Sequence, residues 1–91
     1  MTEPQIDKVL VLSTAHVSKE TATWLDVAAA TEMHSVTRRA GGYGWFLSVH
    51  ANRWHKLDLV AVRRLAVSHG CEWILFDRDA PTIVDLPTWS W

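Results

Sequence analysis

Hydrophobic and polar positions alternate along the chain in patterns that predict four strands and two helices. Apolar runs too short for helices predict strands at residues 8–13 and 72–77. Aromatic and β-branched positions predict two more strands, at residues 33–39 and 43–50, joined by a glycine-rich hairpin turn. Because its apolar positions are consecutive, we interpret the first run as a buried strand.

Two further segments carry apolar residues at helical spacing. Ser18 is expected to cap the first helix, since its hydroxyl can accept a hydrogen bond from a free N–H of the first turn. Asp58 is expected to cap the second helix in the same way. Gly70 is expected to end that helix in the left-handed conformation.

The predicted order of elements is β-α-β-β-α-β. Right-handed crossovers would place both helices on one face of a mixed or antiparallel sheet. We therefore predict an α+β fold of the ferredoxin-like type, in a single domain of residues 1–91. Residues 1–7 are expected to fray, and the tail of residues 80–91 is expected to carry a short extra strand.

Composition limits the partners, cofactors and cellular compartment that we expect for the protein. A net charge of −1 supplies no bulk attraction to nucleic acid or to a membrane. The single cysteine, Cys71, excludes an internal disulfide and suits a reducing compartment. The N-terminal residues match neither a signal peptide nor a membrane span, so we predict a cytoplasmic protein. The five histidines lack metal-ligand spacing, and we expect no metal and no other cofactor.

The segment Asp77-Arg78-Asp79 follows an apolar strand, as does the Asp-x-Asp pair of phosphoaspartyl hydrolases. Such an enzyme needs a doubly wound sheet and further acids and a lysine downstream, and too little chain follows here. Ala80 also replaces the small hydroxyl residue expected after the second acid. We interpret both aspartates as turn residues that accept backbone N–H bonds, and we expect no enzymatic activity. An Mg²⁺-dependent hydrolase remains the third hypothesis.

A basic and aromatic stretch supports a second hypothesis, which is binding of single-stranded nucleic acid. The third predicted strand is where RNA-recognition domains carry aromatic residues that stack on bases. The candidate residues are Arg38, Arg39, Tyr43 and Trp45. A hairpin packed by its own aromatic side chains is the alternative interpretation.

The chain resembles an uncharacterised family of small bacterial domains, which are often carried on plasmids, phages and integrated elements. The segments that carry the resemblance are "VLVLSTAHVSKETATWLD", "GYGWFLSVH" and "HGCEWILFDRDAPTIVDLPTW". Small non-enzymatic proteins of mobile elements often block host defences, as anti-CRISPR proteins do. The resemblance therefore implies a partner that is a host protein or ribonucleoprotein defence complex.

The leading hypothesis is a binding protein of this inhibitory kind. Six tryptophans exceed what a core of this size needs, and exposed tryptophans are common anchors of protein interfaces. The C-terminal part of the chain is also rich in acids. The candidate contact residues are Asp77, Arg78, Asp79, Asp85, Trp89 and Trp91.

Overall fold

The computed structural model describes residues 3–31, 36–38, 44–50 and 56–91. This part of the chain forms four strands, two α-helices and one 3-10 turn, so the α+β class is as predicted. The elements are β1 (Val9–Leu12), the 3-10 turn (Thr14–His16), α1 (Lys19–Ala30), β2 (Val36–Arg38), β3 (Gly44–Ser48), α2 (Leu57–Ser68) and β4 (Trp73–Asp77). Neither helix has the length and apolar content needed to cross a membrane, within these described ranges.

The four strands form one mixed sheet in the order β1-β4-β3-β2. β1 and β4 are parallel, whereas β3 is antiparallel to both β4 and β2. The predicted ferredoxin-like arrangement is therefore wrong. That arrangement needs β3 and β4 to run parallel with another strand between them, but here they are direct antiparallel neighbours and β1 lies at the edge.

Burial differs between β4, which is central, and β1, which lies at the edge. Ile74 and Phe76 of β4 have no exposed surface, in agreement with its place between β1 and β3. In β1 only Leu12 is fully buried, while Val9 and Val11 are 40% and 46% exposed on the other face. The interpretation of residues 8–13 as a buried strand is therefore wrong.

A single core cluster joins the sheet to both helices. Its strand residues share one face of the sheet and are Leu12, Val36, Trp45, Leu47, Ile74 and Phe76. Its helix residues are Ala22, Leu25, Ala28, Leu59, Val62 and Ala66. Both helices therefore cover the same face, and side chains of the opposite parity point to the other face.

Gly44 permits the close pairing of β3 with β4. A Cβ atom at this position would lie 1.7 Å from the carbonyl oxygen of Phe76. The φ angle of +147° is also one that residues with side chains rarely adopt. Glycine is therefore required where β3 begins.

The ends of the helices agree with the predictions in two of three cases. Ser18 caps α1 by accepting a hydrogen bond from the Thr21 N–H at 3.2 Å, and Gly70 follows α2 with a φ of +72°. The N-cap of α2 is Lys56, so the predicted role of Asp58 is wrong. Asp58 instead accepts from the Ser18 N–H at 2.9 Å and the Thr21 hydroxyl at 2.8 Å, which ties the two helix starts together.

The C-terminal tail, residues 78–91, packs against the core cluster but does not form the predicted extra strand. It consists of turns and irregular backbone along its whole described length. Ile83 and Leu86 contact the core cluster. The tail is therefore held by side-chain packing and by individual hydrogen bonds.

Candidate functional site

His16, in the 3-10 turn that follows β1, is joined to the tail by two hydrogen bonds. Its side chain is 1% exposed, and its Nδ1 lies 2.9 Å from the Pro87 carbonyl oxygen. Its Nε2 accepts a hydrogen bond from the Ile83 N–H at 2.7 Å. Because a backbone N–H can only donate, Nε2 is the acceptor and the ring is the neutral tautomer that donates from Nδ1. His16 therefore has a structural role, and both of its ring nitrogens are engaged.

Two tryptophans of the tail are fixed in place but remain partly exposed. The Trp89 N–H donates to the Ala15 carbonyl at 2.9 Å, and the Trp91 indole Nε1–H donates to the Val17 carbonyl at 2.9 Å. Trp89 is 38% exposed and Trp91 is 57% exposed. The Trp91 ring is therefore oriented by its own hydrogen bond, whereas at Trp89 the backbone is anchored; both residues present apolar surface.

These tryptophans border a cleft of about 490 Å³, which we call the tail cleft. Trp45 contributes from the core side, where it is 6% exposed and donates its Nε1–H to Asp26 at 3.0 Å. The residues that line the cleft are Ser13, Thr14, Ala15, Ala22, Asp26, Trp45, Arg78, Trp89 and Trp91. A volume of this size is typical of sites that accept a small molecule or a few side chains of a partner.

The tail cleft brings together three of the six predicted protein-binding residues, which are Arg78, Trp89 and Trp91. The other three do not line it. Asp77 accepts the Asp79 N–H at 2.9 Å, which is the turn arrangement expected from the sequence. Asp79 and Asp85 are exposed. Within the described ranges, no group of three or more His, Cys, Asp or Glu side chains is placed to hold a metal ion.

Among the residues predicted for nucleic-acid binding, Trp45 is buried and is not placed to stack on a base. Its indole belongs to the core, so too little of the ring is exposed to stack on a base. The backbone of Arg38 is opposite that of Trp45 in the ladder between β2 and β3. Arg39 and Tyr43 lie outside the described residues. The nucleic-acid hypothesis therefore loses its central aromatic side chain.

The face of the sheet opposite the helices carries an aromatic pair that sequence reasoning missed. The rings of Phe46 and Trp73 are stacked, with centroids 5.1 Å apart and planes inclined by 14°. They belong to a surface that we call the outer sheet face, made of Val9, Val11, Phe46, Trp73 and Leu75. Only the register of the strands could reveal it, because a shift of one residue exchanges Phe46 for Trp45.

A protein-family model described as "Family of unknown function (DUF5983) C-terminal domain" matches residues 9–91. The chain belongs to this family. The match includes every strand and helix described above and all the residues of the tail cleft, so both surfaces belong to the DUF5983 domain itself. No curated protein and no solved structure matched the chain.

Proposed function

We propose that this DUF5983 domain is a non-enzymatic binding module that holds a protein partner at the tail cleft. The observation that carries the proposal is the anchoring of two partly exposed tryptophans, Trp89 and Trp91, to the backbone that follows β1. A ring already held in one orientation, as that of Trp91 is, loses little conformational entropy when a partner covers it. Aromatic anchors of this kind dominate the binding energy of many interfaces.

The rim of the tail cleft adds polarity to this apolar surface. Arg78 is exposed at the cleft, and arginine is enriched with tryptophan at the energetic centres of interfaces. Asp26 lies inside the cleft as an acceptor. A partner segment that combines an apolar side chain with hydrogen-bonding groups would suit this lining.

His16, Ser13 and Asp77 are side chains of types that can serve catalysis, and their hydrogen bonds in this structure favour binding over catalysis. His16 uses both ring nitrogens on backbone partners, so it cannot also act as a base for a neighbouring hydroxyl. Ser13 accepts the Ala15 N–H at 3.0 Å as the cap of the 3-10 turn. Asp77 has the turn role described above. These groups have structural roles, which supports a module without its own bond-making chemistry.

Within this class, we favour an inhibitor of a host defence complex, such as a CRISPR effector. The motivation is the resemblance to domains carried on mobile elements. The exposed carboxylates of Asp79 and Asp85 could meet basic groups that such complexes use to hold nucleic acid. The partner would then be a host protein or a ribonucleoprotein, bound in a stoichiometric complex.

The test compares Trp91→Ala with Val67→Ala, which removes an exposed apolar side chain from α2. Binding to purified CRISPR effector complexes would be measured by interferometry, with circular dichroism to confirm the fold. We expect Trp91→Ala to weaken binding about tenfold or more, the scale of an interface anchor, and Val67→Ala to leave it unchanged.

The outcomes separate the broad proposal from the narrow one. Affinity capture from a host lysate with the unaltered protein completes the test. If a different protein is captured, and its capture depends on Trp89 and Trp91, the defence-complex proposal fails and the binding module stands. If every captured partner binds Trp91→Ala and Trp89→Ala as tightly as the unaltered protein, the tail cleft is not the binding site.

A further inference from the structure

β1 lies at one edge of the sheet and is paired on one side only, with β4. The Trp73 N–H of β4 donates to the Lys8 carbonyl at 3.3 Å, which shows that the backbone of Lys8 faces β4. The N–H and C=O groups of successive residues turn to opposite sides of a strand. The backbone groups of Leu10 and Leu12 therefore face β4 as well, in agreement with the parallel register.

The backbone groups of Val9 and Val11 consequently point away from the sheet. In the part of the chain that the structure describes, these N–H and C=O groups have no hydrogen-bond partner. The two residues are also 40% and 46% exposed. An unpaired edge of this kind is a template for strand addition, because a further strand supplies a donor for each acceptor and an acceptor for each donor.

This edge lacks the features by which proteins usually prevent such pairing, which are prolines, charged side chains and bulges. The sequence of β1 is "VLVL", and its register with β4 is continuous over all four residues. Lys8 is the cation next to the strand, but its Nζ donates to the His69 carbonyl at 3.1 Å, which directs it to the end of α2. The free edge is therefore left open to another strand.

We infer that β1 is a dimerisation edge, at which two copies of the chain pair their β1 strands antiparallel about a two-fold axis. This pairing places Val9 opposite Val11 of the partner subunit. Each such pair exchanges two N–H···O=C bonds, so the free groups of both copies are satisfied. The product is one continuous sheet of eight strands, four from each copy. The inference does not rest on the function proposed for the tail cleft.

The residues in and around β1 match this strand to a second copy of itself. Valine lies opposite valine, and β-branched cross-strand pairs stabilise a sheet. In the same register Asp7 faces Ser13 of the partner subunit, and Lys8 faces Leu12 of the partner subunit, so no like charges meet. A parallel pairing would bring Asp7 close to Asp7 of the partner subunit and would not form a closed dimer. The antiparallel homodimer is therefore the favoured occupant of the edge.

The test is sedimentation equilibrium over protein concentrations from about 10 µM to about 1 mM. The contact covers four residues of each copy, which is less than a standard interface, so we expect a weak dimer with a Kd of about 100 µM. Hydrogen exchange should slow at the amides of Val9 and Val11 as the protein concentration rises.

Two double variants test the register with the same number of introduced charges. Val9→Lys with Val11→Lys, the Lys/Lys variant, sets like charges opposite each other across the axis. Val9→Lys with Val11→Glu, the Lys/Glu variant, sets opposite charges there. The control is Val27→Lys with Val67→Lys, which places two cations at exposed positions of the helices. Circular dichroism would confirm that each variant is folded.

We expect the Lys/Lys variant to dimerise at least about tenfold more weakly than the unaltered protein. The Lys/Glu variant should stay within about threefold of the unaltered protein, and the helix control within about twofold. An unaltered protein that is monomeric at about 1 mM would overturn the inference. So would a dimer that the Lys/Lys variant leaves intact, or equal weakening by the Lys/Lys and Lys/Glu variants.

Discussion

The tail cleft and the outer sheet face both expose tryptophan, but they hold it by different forces. In the cleft, Trp91 is oriented by a hydrogen bond from its indole to the Val17 carbonyl. On the sheet face, Trp73 stacks on Phe46, and its indole N–H makes a longer bond of 3.3 Å to the exposed Asp7. A short hydrogen bond fixes the ring of Trp91 to one backbone carbonyl, whereas the position of Trp73 follows mainly from packing against a neighbouring strand.

The two regions also differ in what supports them. The tail depends on a few hydrogen bonds to His16, Ala15 and Val17, each of which can open locally. The sheet face depends on the backbone ladders of three strands. The tail cleft should therefore be lost first when the protein is perturbed, while the outer face should persist until the sheet unfolds.

Gly44→Ala should have the largest effect, because both regions depend on the pairing of β3 with β4. The added Cβ would collide with the Phe76 carbonyl, and the backbone angle is strained for alanine. We expect a loss of at least about 3 kcal/mol in the free energy of unfolding, measured by urea titration. Gly70→Ala is the control; it meets no atom within 4 Å, and its left-handed φ should cost about 1 kcal/mol. Equal losses would contradict the role of the close approach.

His16→Ala should separate the two regions. It removes the donor to Pro87 and the acceptor for Ile83, leaves their backbone groups without these partners and creates a cavity in a buried site. We expect a loss of about 2–3 kcal/mol. Hydrogen exchange should quicken at the amides of Ile83 and Trp89, while those of β4 remain protected. Uniform loss of protection across tail and sheet would show that the two regions unfold together.

Trp91→Phe should affect the tail alone and more mildly. The ring is replaced by a smaller one, and the hydrogen bond to the Val17 carbonyl is lost. A partly buried hydrogen bond of this kind is worth about 1 kcal/mol. The difference in the free energy of unfolding between the two proteins would be measured by scanning calorimetry. A stability unchanged from that of the unaltered protein would mean that the indole N–H does not anchor the tail.

Trp73→Phe is the matched substitution on the outer sheet face and should have the smallest effect. The stacking partner is retained, and the bond lost is a 3.3 Å contact with Asp7 at an exposed position. We expect a cost below about 0.5 kcal/mol, because solvent replaces such a bond readily. If this substitution costs more than Trp91→Phe, the proposed contrast between the two regions is reversed.

Local features of the sequence were predicted with success because their causes lie within a few residues. Ser18 and Gly70 act through the backbone of their own helix ends. The cap predicted at Asp58 is wrong because its carboxylate accepts hydrogen bonds from the start of α1, which is distant in the sequence. Half of the predicted contact set, Arg78, Trp89 and Trp91, meets in one cleft, whereas Asp26 and Ser13 of the same cleft carry no sequence signal that marks them.

The order of the four strands and two helices follows from the sequence alone, because apolar periodicity and caps act over short distances, but the extra strand expected in the tail does not form. The identity of neighbouring strands, and the face that each aromatic residue occupies, follow only from the folded chain. Those outcomes depend on long-range pairing, where one residue of register turns Trp45 inward and Phe46 outward. The tail cleft is likewise a product of tertiary contacts, since His16 meets Pro87 only when the chain has folded.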